Sequence, residues 1–324
     1  MHDPKVCAVD NKYFPTEIFC GYNANKTIFV KDALKAGARS NIVILSHINL
    51  LLVGWLIKKI APNTTVILLA HGIEIWSTLS KQKMMMLTAC NKILSVSSFT
   101  NERIQAVHNI PKEKCFVFNN CIDPFLEKPD KKIRNIELIK RYNLKSNDII
   151  LLTITRLSEK DRYKGYTQVL KSLVLIVNKN KNIKYILAGS YEVQEKKYVE
   201  SLIAKYNLQS NVIITGFIKE EELAWHFSLA DIYIMPSSKE GFGIVFVEAM
   251  YYGVPVIAGN VDGSVDALLQ GKLGIIINPE DTNGITTALQ KMIESYNDYK
   301  PNQALLMKHF GYENYKQNLD TFLN

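Results

Sequence analysis

The chain has 324 residues, 47% hydrophobic and 22% charged, a composition of folded globular proteins rather than disordered or fibrous ones, and enough length for about two domains of the usual ~150-residue size. Its net charge is +8 and its pI near 9.0, but no helix-turn-helix, zinc or RNA-recognition pattern accompanies the charge, so no nucleic-acid partner is expected. The five cysteines (Cys7, Cys20, Cys90, Cys115, Cys121) are odd in number and form no Cys-x-x-Cys pair, which argues against a disulfide framework or zinc site and for a reducing, cytoplasmic compartment.

The N-terminus, MHDPKVCAVD, holds too short an apolar run for a signal peptide. The most lipophilic segment, Ile42–Ile60, is interrupted by Ser46, His47 and Asn49, leaving less than the ~18 apolar residues of a membrane span. It reads as a strand, Ile42–Leu45, then a polar loop and a helix from about Leu50 to Ile60. From there apolar runs alternate with amphipathic patterns. Strands are expected at Thr65–Leu69, Lys92–Ser95, Cys115–Phe118, Ile149–Thr155, Ile183–Ala188, Val212–Thr215, Ile232–Met235 and Val254–Ala258. Many are rich in Val and Ile without polar alternation, as strands buried on both faces are. Helices are expected at Tyr166–Val177, Glu195–Tyr206, Glu220–Ala230 and Thr282–Ser295, and the spacing of Phe310, Tyr315, Leu319 and Phe322 suits one helix over His309–Leu323. The alternation predicts parallel α/β units with right-handed crossovers. A charged stretch, Asp123–Asn147, separates two strand groups, and the linker is placed near Cys121–Lys132.

Charge is uneven. Residues 1–124 hold 14 Lys+Arg against 8 Asp+Glu, and the remainder 25 against 23. The basic first part suits an anionic membrane surface; a Lys-rich solubilising surface explains it equally well.

Chemistry concentrates in Ser237–Pro255, SSKEGFGIVFVEAMYYGVP. It follows the strand Ile232–Met235 and holds Glu240 and Glu248, seven residues apart, with Gly241-Phe242-Gly243 between them. Strand, glycine turn and helix start together present bare backbone N–H groups to an anion, at the carboxyl end of a parallel strand where open α/β sheets bind ligands. Glu248, amid Val247, Ala249 and Met250, is costly to bury without a partner. After the strand Ile149–Thr155 come Arg156 and, eight residues on, Lys164-Gly165. A planar fork and a point charge at a strand end suit a diphosphate, and fixed cations stabilise charge that builds up on a leaving phosphate. Arg162 nearby reads as a solvated loop cation.

These residues, together with the AMYYGVPVIAG run to Gly259, resemble the signature of retaining glycosyltransferases with two facing Rossmann-like domains (the GT-B type), in family 4, the glycosyl transferases group 1. The resemblance implies that Glu240 touches the hydroxyls of a donor sugar, Glu248 holds a ribose, and Arg156 and Lys164 hold the diphosphate. The backbone of Gly241, Phe242, Gly243 and Ile244 would grip the sugar. Gly189 and Ser190, and Gly216, Phe217 and Ile218, would flank the base, although each could be a plain strand-end turn. Asp262-Gly263-Ser264 matches a glycine-rich turn near the donor. In the first domain, the resemblance places His71, in the run Ala70-His71-Gly72-Ile73-Glu74, near the reacting centre, and His47 and Ser97 on the acceptor side.

The resemblance implies an α/β fold with domains at 1–124, 125–307 and a C-terminal helix, 308–324, crossing back to the first. It implies a retaining, metal-independent hexosyltransferase-type enzyme without cofactor. A sugar would move from a nucleotide-sugar donor to a hydroxyl of a glycan or lipid-linked acceptor, in bacterial surface polysaccharide synthesis. The catalytic set would be Glu240, His71, Arg156 and Lys164. The start of the chain departs from the pattern. MHDPKVCAVDNKYFP resembles the middle of a first domain, without the usual strand, glycine turn and helix. The first domain is therefore expected to be incomplete, and a non-catalytic nucleotide-sugar-binding remnant is the alternative reading. An epimerase on the same fold would lack the Arg–Lys-Gly and paired-glutamate set.

Overall fold

The computed structural model describes residues 12–127 and 134–323. The chain start and part of the expected linker at Cys121–Lys132 lie outside the described residues. The described residues form two compact units, 12–96 with 100–118, and 119–322 with 97–99.

The first unit is built on a parallel sheet of four strands in sequential order, β1 (Ile42–Leu45), β2 (Thr65–Ala70), β3 (Lys92–Ser95) and β4 (Cys115–Val117). Helix α1 (Lys26–Gly37) precedes β1, and helices α2 (Leu51–Ile60), α3 (Lys81–Thr88) and α4 (Ser98–His108) connect the strands. Local chemistry sets their starts: Asn25 accepts the Ile28 N–H ahead of α1 and Ser80 the Lys83 N–H ahead of α3, each satisfying a donor that the first turn leaves unpaired. Helix α2 turns Val53, Gly54 and Ile57 inward.

The second unit holds six parallel strands, β5 (Ile149–Ile154), β6 (Ile183–Ala188), β7 (Val212–Gly216), β8 (Ile232–Met235), β9 (Val256–Gly259) and β10 (Ile275–Ile277). Their spatial order is β10-β9-β8-β5-β6-β7, the doubly wound order of dinucleotide-binding folds, which reverses direction between β5 and β8. All residues of β8 and β9 are buried, as the unbroken apolar runs require. Helices α5 (Ile136–Arg141), α6 (Tyr166–Val177), α7 (Val193–Lys205), α8 (Glu220–Leu229), α9 (Ile244–Tyr251), α10 (Ser264–Ala267), α11 (Thr282–Glu294), α12 (Gln303–Phe310) and α13 (Tyr312–Leu323) complete it. One core joins Leu170 and Leu173 of α6, Leu289 and Met292 of α11, and Leu151 and Tyr185 of the sheet, all fully buried.

Three expectations are corrected. The strand expected at Val254 begins at Val256, because the Val254 N–H closes the end of α9 on the Ala249 carbonyl (3.0 Å) and Pro255 has none to give. Ile275–Ile277 forms an edge strand that the sequence pattern did not reveal. The single helix expected over His309–Leu323 is two, α12 and α13, parted at Gly311, whose ψ of 148° is extended. Among the described residues no helix is long and apolar enough to cross a membrane.

Candidate functional site

Strands β5 and β8 are neighbours, paired at Leu151–Ile232 and Leu152–Tyr233, while their connections leave in opposite directions. The crevice beyond their carboxyl ends is where such sheets take ligands. Arg156 follows β5, and the Pro236–Glu240 loop follows β8.

The loop after β5 is a short 3-10 turn, Glu159–Lys164, ending at Gly165. Gly165 has φ +82°, and a Cβ there would overlap the Pro236 carbonyl, so only glycine lets this turn lie on the end of β8. The Ser238 N–H donates to the Tyr163 carbonyl (2.9 Å), binding the two loops together. Arg162, expected as a solvated cation, is instead a fixed strut. Its Nε and Nη2 reach Glu195 of α7 at 2.9 and 2.7 Å, and its guanidinium stacks 3.9 Å from the Tyr198 ring centre. Glu195 is buried, and also accepts from the Tyr166 hydroxyl (2.8 Å).

This anchored turn presents Lys164, whose ammonium pairs with the Glu240 carboxylate. Their side chains are 20% and 12% exposed. Burial pushes the Glu240 carboxyl above the ordinary carboxylate range, Lys164 works against that rise, and Asp262 and Asp161 add to it. Arg156 is more open, 57% exposed, with Asp161 at 3.2 Å and Glu192 at 3.5 Å. Carboxylates thus neighbour both cations.

Glu248 sits one turn into α9 and is partly buried. Among the described residues no group of the protein hydrogen-bonds its carboxylate. Burial, with a smaller push from Asp123, raises its pKa to about 7. Phe242 is buried edge-on against Phe310 (centroids 5.6 Å apart), so the aromatic of the Gly241–Ile244 turn anchors the loop. The start of α9 at Ile244 has no side-chain cap, leaving N–H groups for an anion.

At the neighbouring strand ends, Gly189 and Ser190 follow β6, and Phe217 and Ile218 follow Gly216 at the end of β7. The Gly189 N–H donates to the Gly216 carbonyl (2.9 Å) and the Leu157 N–H to the Ser190 carbonyl (2.8 Å). Ser190 is exposed, and Phe217 is 77% exposed beside half-open Tyr191.

In the first unit His71 is exposed after β2. Its Nε2 donates to the Ser46 carbonyl (2.7 Å), while Glu74 Oε1 accepts the His71 and Gly72 N–H groups (2.6 and 3.1 Å). The His47 Nδ1 accepts the Asn49 N–H (3.1 Å), so that ring caps the turn after β1. Ser97, in the stretch 97–99 that clusters with the second unit, is fully buried.

The sequence reading missed Glu195 and Asp161, and assigned Asp262 to a turn near the donor without a contact of its own. Glu195 gives little linear signal, since Arg162 lies 33 positions away, whereas Asp161 lies in the same loop as its partners Arg156 and Ser158. Among the described residues no group of three or more His, Cys, Asp or Glu side chains is placed to hold a metal ion.

The family model for glycosyl transferases group 1 matches residues 135–310, the stretch that carries this whole crevice. The chain belongs to that family. It is 26% identical over 231 residues to an uncharacterized glycosyltransferase of Methanocaldococcus jannaschii, covering 69% of this chain and 56% of that protein. It is 27% identical over 205 residues to a GDP-mannose-dependent alpha-(1-6)-phosphatidylinositol monomannoside mannosyltransferase of Mycolicibacterium smegmatis, covering 60% of this chain and 50% of that one. The chain spans about half the length of the curated relatives it matches. Its fold is that of Anabaena Alr3699/HepE, solved in complex with UDP, with a TM-score of 0.79, 20% identity and coverage of 91% and 82% of the two chains. The architecture of this group 1 member is therefore the GT-B type, with two parallel sheets.

Proposed function

We propose that this glycosyltransferase moves a sugar from a nucleotide-sugar donor to a hydroxyl of a glycan or lipid-linked acceptor, with retention at the anomeric carbon. The observation that carries the reading is the pairing of Lys164 with Glu240 at the β5–β8 reversal, with Arg156 following β5 in the same region and Glu248 one turn into α9. Arg156 and Lys164 hold the departing diphosphate, where fixed positive charge counts most as the glycosidic bond breaks. Glu240 and the backbone of Gly241–Ile244 grip the sugar, and Glu248 accepts from the ribose hydroxyls. Ser190, Phe217 and Ile218 stand by the base. The acceptor hydroxyl enters on the face the diphosphate leaves and passes its proton to the leaving phosphate oxygen. His71 serves on the acceptor side, with His47 as a further member of that side.

The UDP bound in the Anabaena structure and the GDP-mannose dependence of the mycobacterial relative support a nucleotide-sugar donor. The phosphatidylinositol monomannoside in that relative's name supports a lipid-linked acceptor. The test is a thermal-shift screen of UDP, GDP, ADP and their sugars, since a ligand that binds the folded state alone raises apparent stability. A shift with one nucleotide, lost in Arg156→Ala and in Glu248→Ala, is expected. No shift with any of them sinks the reading.

A further inference from the structure

Asp262, in the turn after β9, is 1% exposed. Among the described residues no Lys, Arg or His pairs with it in an ion pair. A buried carboxylate without a cation is costly, and here three donors offset that cost. Asp262 Oδ2 accepts the Glu240 N–H (2.7 Å) and the Ser237 hydroxyl (2.8 Å), and Oδ1 accepts the Ser264 N–H (2.9 Å). The next residue completes the grip, because the Gly263 N–H donates to the Glu240 carbonyl (2.8 Å). Both polar groups of the Glu240 main chain are therefore held by one dipeptide, Asp262-Gly263. A Cβ at Gly263 would overlap the Gly241 carbonyl, so the two loops touch backbone to backbone.

The chemistry explains why the residue is an aspartate. Every group facing it donates. An asparagine of the same shape would turn an NH₂ toward either the Glu240 N–H or the Ser264 N–H, leaving one buried donor unpaired.

We propose that Asp262 is the positioning residue for Glu240, fixing the main chain from which that carboxylate reaches Lys164 and the donor sugar. Asp262 acts through Glu240 and does not touch the donor. The proposal rests on the reading of Glu240 as the sugar contact. A misplacement of about 1 Å in such a group costs on the order of 100-fold in rate.

The experiment compares wild type, Asp262→Asn and Glu240→Gln in calorimetric titrations with UDP and UDP-glucose, GDP and GDP-mannose, and ADP and ADP-glucose, together with kcat and KM for donor turnover. In Asp262→Asn, affinity for the free diphosphate is expected to stay within about threefold while the sugar's added affinity is lost and kcat falls about 100-fold. Gly263→Ala, which displaces the Gly241 carbonyl and leaves the carboxylate in place, is expected to give the same split, and decides the matter if Asp262→Asn does not fold. The positioning role alone is overturned if Glu240→Gln loses turnover while Asp262→Asn behaves as wild type. It is equally overturned if Asp262→Asn loses diphosphate and sugar affinity in equal measure, as general loosening would produce. If wild type binds none of the six probes, or Glu240→Gln leaves sugar affinity and turnover intact, the Glu240 reading falls and the proposal with it.

Discussion

Lys164 and Glu240 stand 76 positions apart and close an ion pair across two loops of the second unit. The pair gives the cation an internal anion in the absence of nucleotide. On the proposed reading, an arriving diphosphate would share Lys164 with Glu240 or displace it. On that same reading, the Glu240 carboxylate would oppose diphosphate binding by itself and help only once a sugar hydroxyl donates to it.

Glu240→Gln separates these effects. Removing the charge frees Lys164, so the free nucleoside diphosphate is expected to bind about three- to tenfold tighter. Turnover is expected to fall by at least about 100-fold, because the lost contact is made to the sugar as its bond breaks. Calorimetry with the diphosphate and single-turnover rates with its sugar check the two signs. Weaker diphosphate binding with unchanged turnover would remove Glu240 from the site.

Glu248 makes stability depend on pH. Its folded-state pKa is about 7, against 4.5 for the ordinary group. Between those values the folded chain holds the proton more tightly than the unfolded one, so stability falls as pH rises through this window, and the loss is complete above it. At pH 8 the cost is on the order of 2–3 kcal/mol. Glu248→Gln is therefore expected to unfold at higher denaturant concentration than wild type at pH 8, and at the same concentration near pH 4.5. Its nucleotide affinity should fall on the proposed reading, because the ribose hydroxyls lose a charged, two-oxygen acceptor and keep a single amide oxygen. Denaturation curves at the two pH values decide the first point.

Arg156 and Glu195 are expected to differ in kind. Arg156 is more than half exposed and its pairs with Asp161 and Glu192 are surface contacts, so Arg156→Ala should change stability by less than about 0.5 kcal/mol while weakening diphosphate binding about tenfold.

Glu195→Ala reverses the pattern. It strips the acceptor from Arg162 and from the buried Tyr166 hydroxyl, an expected cost of about 2 kcal/mol. It also loosens the turn that presents Lys164, so some nucleotide affinity should go with it. Parallel denaturation and calorimetry on the two variants would show both contrasts, and a stable Glu195→Ala protein would refute the strut.

Much of the second unit was legible in the sequence because its signals are local. Ile232–Met235 is a strand buried on every side, and its bounds match the apolar run. The interval from Glu240 to Glu248 spans one glycine turn and one turn of helix, so the spacing itself placed one carboxylate in the loop and one on α9. Other features depend on partners distant in the chain. Arg162 looked solvated because Glu195, which fixes it, lies 33 positions away on a helix that otherwise reads as a surface element. Asp262 looked like an ordinary turn residue because two of its three donors, Ser237 and Glu240, come from the loop after β8. The break at Gly311 was hidden by apolar spacing that runs on through both helices, and the half-buried Ile275–Ile277 is too short for a pattern to form.

The exposed tips after β6 and β7 have a different consequence. Ser190 and Phe217 lie at the surface, while the strands beneath them end in fully buried Leu187 and Ala188 and in Gly216. A substitution at these tips leaves the packed interior as it was. On the proposed function, preference for one nucleotide base over another would drift, or be engineered, there at almost no cost in foldability, whereas the loops after β5, β8 and β9, packed on each other at Gly165 and Gly263, tolerate little exchange.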